Sequence, residues 1–334
     1  MSALDGVGVH NGNLFGFDAT DSSASLIVIP VPWDVTVSFR AGTAHAYENV
    51  LAASTQLDFC IPGRGDDVMT DIFMLPVSQD WILENKRNRK IAKEIIDLQE
   101  SGRWDDSLEK RTLLEIVNRS CQKMQASLAV EVKKYMSLGK KVALLGGDHS
   151  VSYPLIKTVS QFYESFGILQ IDAHCDLRDT YQGFETSHAS VMHRALGLEQ
   201  VSRLVQVGIR DYCHAELAVI RGSGGRVCSF FDRNLKESKF RGLTWEAICQ
   251  PIVSALPDNV YVSLDVDGLD PSLCPNTGTP VPGGLGFEEL VFLLNLIRRA
   301  GKRVIAFDLV EVGTSEDYWD ESVAARLLYF LSQL

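Results

Sequence analysis

The stretch FGILQIDAHCDLRD, residues 166–179, joins an apolar run to a cluster of acidic and imidazole side chains. The run Phe166–Ile171 shows little polar alternation, which is typical of a strand covered on both faces. Asp172, His174 and Asp176 then follow at every second position. Because side chains alternate between the two faces of a strand, these three would point the same way if the extended backbone continues. The sequence therefore predicts a buried strand that delivers polar groups to one edge of a sheet.

Similar apolar runs recur along the chain, and most are separated by segments long enough for a helix. Strands that alternate with helices predict an α/β protein with a mostly parallel sheet covered on both faces. In such sheets, binding sites lie beyond the carboxyl ends of the strands. The other predicted strands are Leu26–Val31, Asp71–Leu75, Lys141–Leu145, Leu204–Ile209, Val260–Val266 and Val304–Val312.

Two more of these strands end in polar motifs. Lys141–Leu145 leads into GGDHS, which contains His149, and Val260–Val266 overlaps SLDVDGLDP, in which Asp265 and Asp267 share one face. Parallel strands deliver their carboxyl ends to the same edge of a sheet. We therefore expect four carboxylates and two imidazoles to meet there.

This collection of donors predicts a metal site. Buried like charges are tolerated when a cation pairs them, and carboxylates at this spacing can bridge two ions ~3.5–4 Å apart. Oxygen and nitrogen donors without sulfur favour Mn over Zn, and Ni, Co or Fe would also fit. Cys175 lies inside the motif, but alternation turns it to the opposite face. Alternatively, some of the acids cap helices or turns, the simplest role for Asp148 and Asp270.

The overall composition narrows the class of protein. The 334 residues are 46% hydrophobic and 22% charged, which suits a globular protein with a sizeable core. A formal net charge of −11 argues against a nucleic-acid partner, and no apolar window approaches the ~18 residues of a membrane span. Seven cysteines without a C-x-x-C pair, and no basic region before an apolar run at the N-terminus, favour a reduced, cytoplasmic protein.

A long segment, residues 79–141, predicts two or three helices with a break at Ser101-Gly102. Its simplest role is that of a packing layer. A lid over the site or a contact between subunits is the alternative, since long insertions often carry function.

GGDHS, DAHCD and SLDVDGLDP together resemble the three signatures of the ureohydrolases, the arginase and agmatinase family. The likeness continues in NTGTPVPGG (276–284), in FDLVEV (307–312) and upstream in PVPWDVTVSFRAGTAHAYENVLAAS (30–54). It implies a single three-layer α/β/α domain over residues 1–334 around a parallel sheet, with the helical segment 79–141 as an insertion. It also implies self-association, as a trimer or hexamer.

The resemblance further implies two Mn²⁺ ions per chain and assigns their ligands. The implied ligands are, for the first ion, His149 and Asp176, for the second ion, His174 and Asp267, and as bridges between the two, Asp172 and Asp265.

Outside the ligand set, the resemblance points to two catalytic residues. His188 matches the position of a proton-shuttle histidine, and the expulsion of an amine needs a proton carrier near neutral pH. Glu311 would accept hydrogen bonds from the substrate guanidinium, whose planar fork of N–H donors suits a carboxylate. Asp211 and Glu216, in GIRDYCHAE, are candidates for binding the substrate amino group. From the residues alone, His188 would be an ordinary loop histidine and Glu311 a surface acid.

The predicted function is metal-dependent hydrolysis of a guanidino compound to an amine and urea. The loop LRDTYQGFETSHAS, residues 177–190, looks more like that of bacterial agmatinases, so agmatine, giving putrescine and urea, is the expected substrate. Guanidine, guanidinobutyrate, arginine and formimidoylglutamate are alternatives, because GTSEDYWDES (313–322) departs from the family pattern after Glu311. Two further hypotheses are a non-catalytic partner subunit and a one-zinc hydrolase, such as a deacetylase, on the same fold.

Overall fold

An eight-stranded sheet forms the centre of the protein, seen in a computed structural model that describes residues 8–61, 68–105 and 107–334. The strands are β1 (Leu26–Pro30), β2 (Ile72–Met74), β3 (Lys141–Leu145), β4 (Phe166–Ile171), β5 (Val201–Ile209), β6 (Val227–Phe231), β7 (Asn259–Asp265) and β8 (Arg303–Val310). Their spatial order is β2, β1, β3, β8, β7, β4, β5, β6. Every pairing between these strands is parallel.

Helices cover both faces of the sheet. Those in the described residues are α1 (Ala46–Ser54), α2 (Gln79–Glu100), α3 (Leu108–Ser137), α4 (Ser152–Val159), α5 (Val191–Leu196), α6 (His214–Gly222), α7 (Asp232–Phe240), α8 (Trp245–Ala255), α9 (Phe287–Arg299) and α10 (Trp319–Ser332). Buried apolar side chains form two clusters, one that includes residues of α1, α8, α9 and α10 and one that includes residues of α2 to α5. The predicted three-layer α/β/α architecture is therefore confirmed.

Strand β4 shows how one apolar run builds both layers. Leu169 and Ile171 belong to one cluster, and Phe166 and Ile168 belong to the other. All four side chains are inaccessible to solvent. A strand buried on both faces needs a continuous apolar run, as the sequence predicts.

The strand order also gathers the polar motifs. Strands β3, β8, β7 and β4 are consecutive in the sheet. Their carboxyl ends therefore bring His149, Glu311, Asp265 and Asp172 to the same edge.

The predicted strands omit β6 and misplace some ends. Strand β6 is at the edge of the sheet and mostly half-buried, so it lacks the continuous apolar run of a central strand. Strand β5 begins at Val201 rather than Leu204. Strand β8 covers Arg303–Val310 rather than Val304–Val312.

Residues 79–141 contain two helices, each of which begins at a serine cap. The side chains of Ser78 and Ser107 accept hydrogen bonds from backbone N–H groups in the first turns of α2 and α3. The predicted break at Ser101-Gly102 follows α2 directly. That this segment is an insertion in one domain spanning residues 1–334 stays a prediction. Within the described ranges, none of the helices combines the length and apolarity that a membrane crossing requires.

Candidate active site

Six polar side chains from three strand ends meet at one edge of the sheet. They contain two groups of potential ligands, and the ligand atoms within each group lie within 4.8 Å of one another. The two groups are His149, Asp172 and Asp265, and Asp172, His174 and Asp267. Asp176 lies beside the first group, with Oδ2 2.8 Å from Nδ1 of His149. All six predicted ligands are therefore neighbours, and their role as ligands stays a prediction.

The ring of His149 is held in one orientation by a hydrogen bond to Ser263 of β7. Its Nε2 lies 2.8 Å from Oγ of Ser263, and the Ser263 hydroxyl donates to Asp308 at 2.9 Å. Tyr261 donates its hydroxyl to the same acid. Because the Ser263 hydrogen is used on Asp308, its Oγ accepts from the Nε2–H of His149.

Nδ1 of His149 indicates that the site suits a cation. It lies 3.0, 2.8 and 3.3 Å from carboxylate oxygens of Asp172, Asp176 and Asp265, yet it forms no hydrogen bond with them. If the ring is neutral and protonated on Nε2, the lone pair of Nδ1 faces three acceptors. A metal ion among these donors would replace that repulsion with coordination, and the set of oxygen and nitrogen donors fits one.

The buried acids also favour added positive charge. Burial raises the pKa of Asp265 well above its ordinary value, and the negative charges of Asp267 and Asp172 raise it further. Burial and Asp172 raise the pKa of Asp176 to about 7. Burial alone would lower the pKa of His149, but the surrounding carboxylates outweigh it and hold that pKa well above its ordinary value. Cations would let all these carboxylates ionise together.

Two other acids of the motifs cap local turns, so that alternative is confirmed for them. Asp148 accepts a hydrogen bond from the Ser150 backbone N–H at 3.0 Å. Asp270 accepts one from the Ser272 N–H at 2.9 Å.

Glu311 follows β8 and has one carboxylate oxygen without a partner. Its Oε1 accepts a hydrogen bond from the His149 backbone N–H at 2.9 Å, while Oε2 is buried and unpaired. The backbone is held by a bond from its N–H to the Gly147 carbonyl at 3.0 Å and by Thr277, which donates to its carbonyl at 2.8 Å. These contacts retain a φ of 60°, in the left-handed region that side-chain-bearing residues rarely adopt. Burial raises the pKa of Glu311 well above its ordinary value.

His188 begins a short 3-10 helix in the wall of a cavity beside the predicted metal ligands. Its Nε2 lies 3.3 Å from Oγ of Ser38, and its ring meets Tyr181 edge-on with centroids 5.9 Å apart. Burial, with the positive charges of His174 and His149, lowers the pKa of His188 to about 3. The imidazole is therefore neutral at neutral pH. Its predicted shuttle role stays a prediction.

The two acids predicted to bind the substrate amino group differ in their surroundings. Asp211 has a side chain that is 68% exposed at the cavity, with Oδ2 3.9 Å from Nε2 of His174. Glu216 is buried, and its two oxygens accept hydrogen bonds from the backbone N–H groups of Leu177 at 3.1 Å and Cys213 at 2.9 Å. These contacts give Glu216 a structural role next to residues 172–176, the ligand segment, which contains three of the predicted ligands. Substrate binding by either acid stays a prediction.

The cavity has a volume of about 530 Å³ and opens above the ligand groups. Arg178 lies over the ring of Tyr181 in its wall, 4.9 Å from the ring centroid. The residues that line it, apart from those above, include Phe39, Tyr212, Thr279, Pro280 and Val281.

Comparison with known proteins identifies the family. A sequence model of the arginase family matches residues 24–332 of this chain. The chain belongs to the arginase family. The prediction of a ureohydrolase from its motifs is therefore confirmed.

Two similar proteins and one similar solved structure are named as ureohydrolases or agmatinases. The N(1)-aminopropylagmatine ureohydrolase of Thermus thermophilus is 32% identical over 313 residues, covering 93% of this chain and 90% of that protein. The agmatinase of Pyrococcus horikoshii is 35% identical over 208 residues, covering 61% of this chain and 67% of that protein. The structure of agmatine ureohydrolase from Thermoplasma volcanium has a TM-score of 0.69 at 23% identity, covering 95% of this chain and 92% of that one. At this identity, the structural likeness supports the fold.

In this arginase-family chain, helix α2 holds one loop of the cavity wall, a contact that sequence reasoning missed. Asn85 accepts a hydrogen bond from the Asp34 N–H at 2.8 Å and donates to its Oδ1 at 3.0 Å. Arg89 donates to two backbone carbonyls of the same loop, at 3.1 and 2.6 Å. The loop carries Ser38, the hydroxyl neighbour of His188.

A second loop, residues 181–187, is hydrogen-bonded to helices α2 and α3. Gln99 of α2 donates to a backbone carbonyl of this loop at 3.0 Å. Asn118 of α3 donates to the Gly183 carbonyl at 3.3 Å and accepts from a backbone N–H of the loop at 3.1 Å. Because the loop leads directly into His188, the packing layer formed by α2 and α3 also positions the cavity wall.

Proposed function

We propose that this protein is a binuclear-metal ureohydrolase that hydrolyses a guanidino compound without an α-carboxylate to an amine and urea, with agmatine as its preferred substrate. The observation that carries the proposal is the pair of ligand groups that share Asp172, next to the unpaired carboxylate oxygen of Glu311. Membership of the arginase family and the names of the relatives support a hydrolase of carbon–nitrogen bonds.

The metal site would use the two imidazoles and four carboxylates of the three motifs. The lone pair that Nδ1 of His149 turns toward three carboxylate oxygens is the feature that a cation would satisfy. Oxygen and nitrogen donors suit Mn²⁺, and Ni, Co or Fe remain compatible. When bound, two such ions lower the pKa of a water molecule toward neutrality and so supply a nucleophile. The proposed ligands are His149, Asp172, His174, Asp176, Asp265 and Asp267.

Glu311 orients the guanidinium in this proposal. Its Oε1 is fixed by the His149 backbone N–H, so Oε2 presents a free acceptor at a defined position. A guanidinium group offers N–H donors in one plane, and a bond between opposite charges is stronger than one between neutral groups. The contact would hold the guanidinium carbon in place for attack by water.

His188 carries the proton in this proposal. Its imidazole is neutral and lies in the cavity wall beside Ser38. It accepts the proton that the attacking water gives up and returns it to the nitrogen that leaves as an amine. Proton transfer by a positioned group contributes about 10²–10⁴-fold to the rate.

An exposed carboxylate in the cavity wall selects the substrate in this proposal. Asp211 is exposed there and would receive the terminal ammonium of agmatine. An α-carboxylate would lie near the same acid and be repelled by it. Arg178 lines the same cavity and could pair with a substrate carboxylate, so guanidinobutyrate belongs in the same assay.

Urea release by the Mn-loaded protein tests the proposal. The substrates are agmatine, N(1)-aminopropylagmatine, guanidinobutyrate, guanidine and L-arginine, and agmatine is expected to give the highest kcat/KM. A tenfold preference for L-arginine, about 1.4 kcal/mol of transition-state stabilisation, would contradict the substrate assignment. No urea from any of them would contradict the reaction.

Metal analysis tests the site separately. About two Mn ions per chain are expected. Asp265→Asn should lower the metal content and abolish turnover, because it removes a charge next to His149 and Asp267. Full activity with one tightly bound zinc per chain would contradict a binuclear site. Cytoplasmic location and self-association as a trimer or hexamer stay predictions.

A further inference from the structure

A row of polar side chains crosses the sheet one layer beneath the ligands. Gln170 of β4 is paired in register with Gln206 of β5, which is paired with Ser229 of β6. Both glutamines are inaccessible to solvent. Asp172 lies two residues beyond Gln170, on the same side of the strand. Because a buried amide must find hydrogen-bond partners, the partners of this row show what it holds.

Gln170 donates both of its amide hydrogens to the ligand segment. Its Nε2 donates to Oδ2 of Asp172 at 2.7 Å and to the backbone carbonyl of His174 at 3.3 Å. Gln170 thus contacts the carboxylate that both ligand groups share, and the backbone of the next proposed ligand.

Gln206 fixes Gln170 and extends the same support. Its Nε2 donates to Oε1 of Gln170 at 2.7 Å and to the backbone carbonyl of Cys175 at 2.8 Å. Its Oε1 accepts the hydroxyl hydrogen of Ser229 at 2.6 Å. The row therefore holds three consecutive parts of the ligand segment: the Asp172 carboxylate and the carbonyls of His174 and Cys175.

The direction of these bonds is determined by their partners. If the Gln170 amide were flipped, its oxygen would face two acceptors, the Asp172 carboxylate and the His174 carbonyl. A flipped Gln206 would likewise turn its oxygen toward the Cys175 carbonyl and its amino group toward the hydroxyl of Ser229. Only one arrangement satisfies every donor, so the row can hold Oδ2 of Asp172 in one place.

We infer that Gln170, Gln206 and Ser229, the amide relay, are positioning residues that set the metal affinity of the site through Asp172. This inference rests on the proposed function. A purely structural role would be met as well by apolar side chains, since replacing both partners of a buried bond by apolar groups is nearly neutral for stability. The relay instead places an amide N–H donor, that of Gln170, on the carboxylate of Asp172, which both ligand groups share.

Mn²⁺ binding to the metal-free protein, followed by calorimetry, tests the relay. Gln206→Met keeps the length of the side chain but removes both amide functions, and it should weaken Mn²⁺ binding about 10- to 100-fold. Ser229→Ala, at the half-buried edge of the sheet, should weaken it less, by about threefold. Gln170→Met combined with Gln206→Met should weaken binding by less than the product of the two single effects, because Gln206 acts partly through its bond to Gln170.

The control is Thr158→Val, which removes another buried hydroxyl, one that donates to the Pro154 carbonyl within α4. It should leave the Mn²⁺ affinity unchanged. Thermal unfolding of each metal-free variant separates affinity from stability. Folded Gln206→Met with wild-type affinity would overturn the relay alone. If Gln206→Met does not fold, an unchanged affinity in Ser229→Ala overturns it. Absence of Mn²⁺ binding by the wild type would overturn the proposed function and the relay together.

Discussion

Replacing Glu311 by glutamine should place a donor where the substrate needs an acceptor. In the present structure, Oε1 of Glu311 accepts from the His149 backbone N–H at 2.9 Å, and Oε2 is buried without a partner. In Glu311→Gln, the amide oxygen must take the Oε1 position, since that N–H needs an acceptor. The amino group then occupies the Oε2 position. Its hydrogens would face the N–H donors of the guanidinium.

The magnitude follows from the two interactions that change. A hydrogen bond to a charged group contributes about 1.5–3 kcal/mol, and an opposed, unsatisfied donor adds a penalty of about 1 kcal/mol or more. A total of about 2.5–4 kcal/mol corresponds to a decrease in kcat/KM of roughly 70- to 900-fold. A contact made equally before and during reaction would appear in KM, and one made only in the transition state would appear in kcat.

The assay is urea release from agmatine by protein with a measured Mn content. Glu321→Gln is the matched control, because Glu321 is also a buried glutamate but both of its oxygens accept hydrogen bonds, from Asn49 and Ser315. The control should retain the wild-type kcat/KM. A Glu311→Gln protein with full Mn content and kcat/KM within threefold of the wild type would refute the reasoning.

Three further changes test other parts of the site. His188→Ala should keep its Mn content but lower kcat about 10²–10⁴-fold, as measured at neutral pH, and an unchanged kcat would leave it an ordinary loop residue. Gly268→Ala would place a Cβ 2.5 Å from the backbone nitrogen of Asp172, so calorimetry should show weaker Mn²⁺ binding and a lower Tm. Asn118→Leu removes the two bonds that Asn118 makes to the loop at Gly183 and should lower kcat/KM several-fold while metal analysis finds Mn unchanged. Equal kcat/KM would show that the loop needs no such support.

The convergence of the six proposed ligands could be predicted from sequence because it depends on local rules. An apolar run followed by Asp172, His174 and Asp176 predicts a strand that ends in polar groups. Parallel packing then places the ends of such strands at one edge. The observed order, with β3, β8, β7 and β4 consecutive, brings the motifs side by side. Strand β6 was missed because it lies at the edge of the sheet and is mostly half-buried, so it lacks a continuous apolar run.

The contacts behind the proposed ligands could not be predicted, because they join residues that are distant in the chain. Gln170 and Gln206 stand out only as isolated polar residues in apolar strands. Such a residue signals a buried hydrogen bond, but its partner depends on the register of β4 against β5. Asn118 is similar, since a polar residue on a long helix usually faces solvent. Its two bonds to the loop at Gly183 exist only in the folded chain.

Among the acids assigned to substrate, the satisfaction of oxygen atoms separates roles that the sequence treats alike. Both oxygens of Glu216 already accept hydrogen bonds from backbone N–H groups. If Glu216 bound an ammonium with the same lone pairs, it would lose these bonds, one of which holds the residue after Asp176. Glu311 has one oxygen committed and one free, which both orients the carboxylate and leaves an acceptor. The side chain of Asp211 is exposed, so its carboxylate stays hydrated until a ligand binds. In the proposed function, Glu311 would therefore bind the guanidinium in a buried position and Asp211 would bind an ammonium at the solvent side, while Glu216 fixes the backbone of Leu177, next to the proposed ligand Asp176.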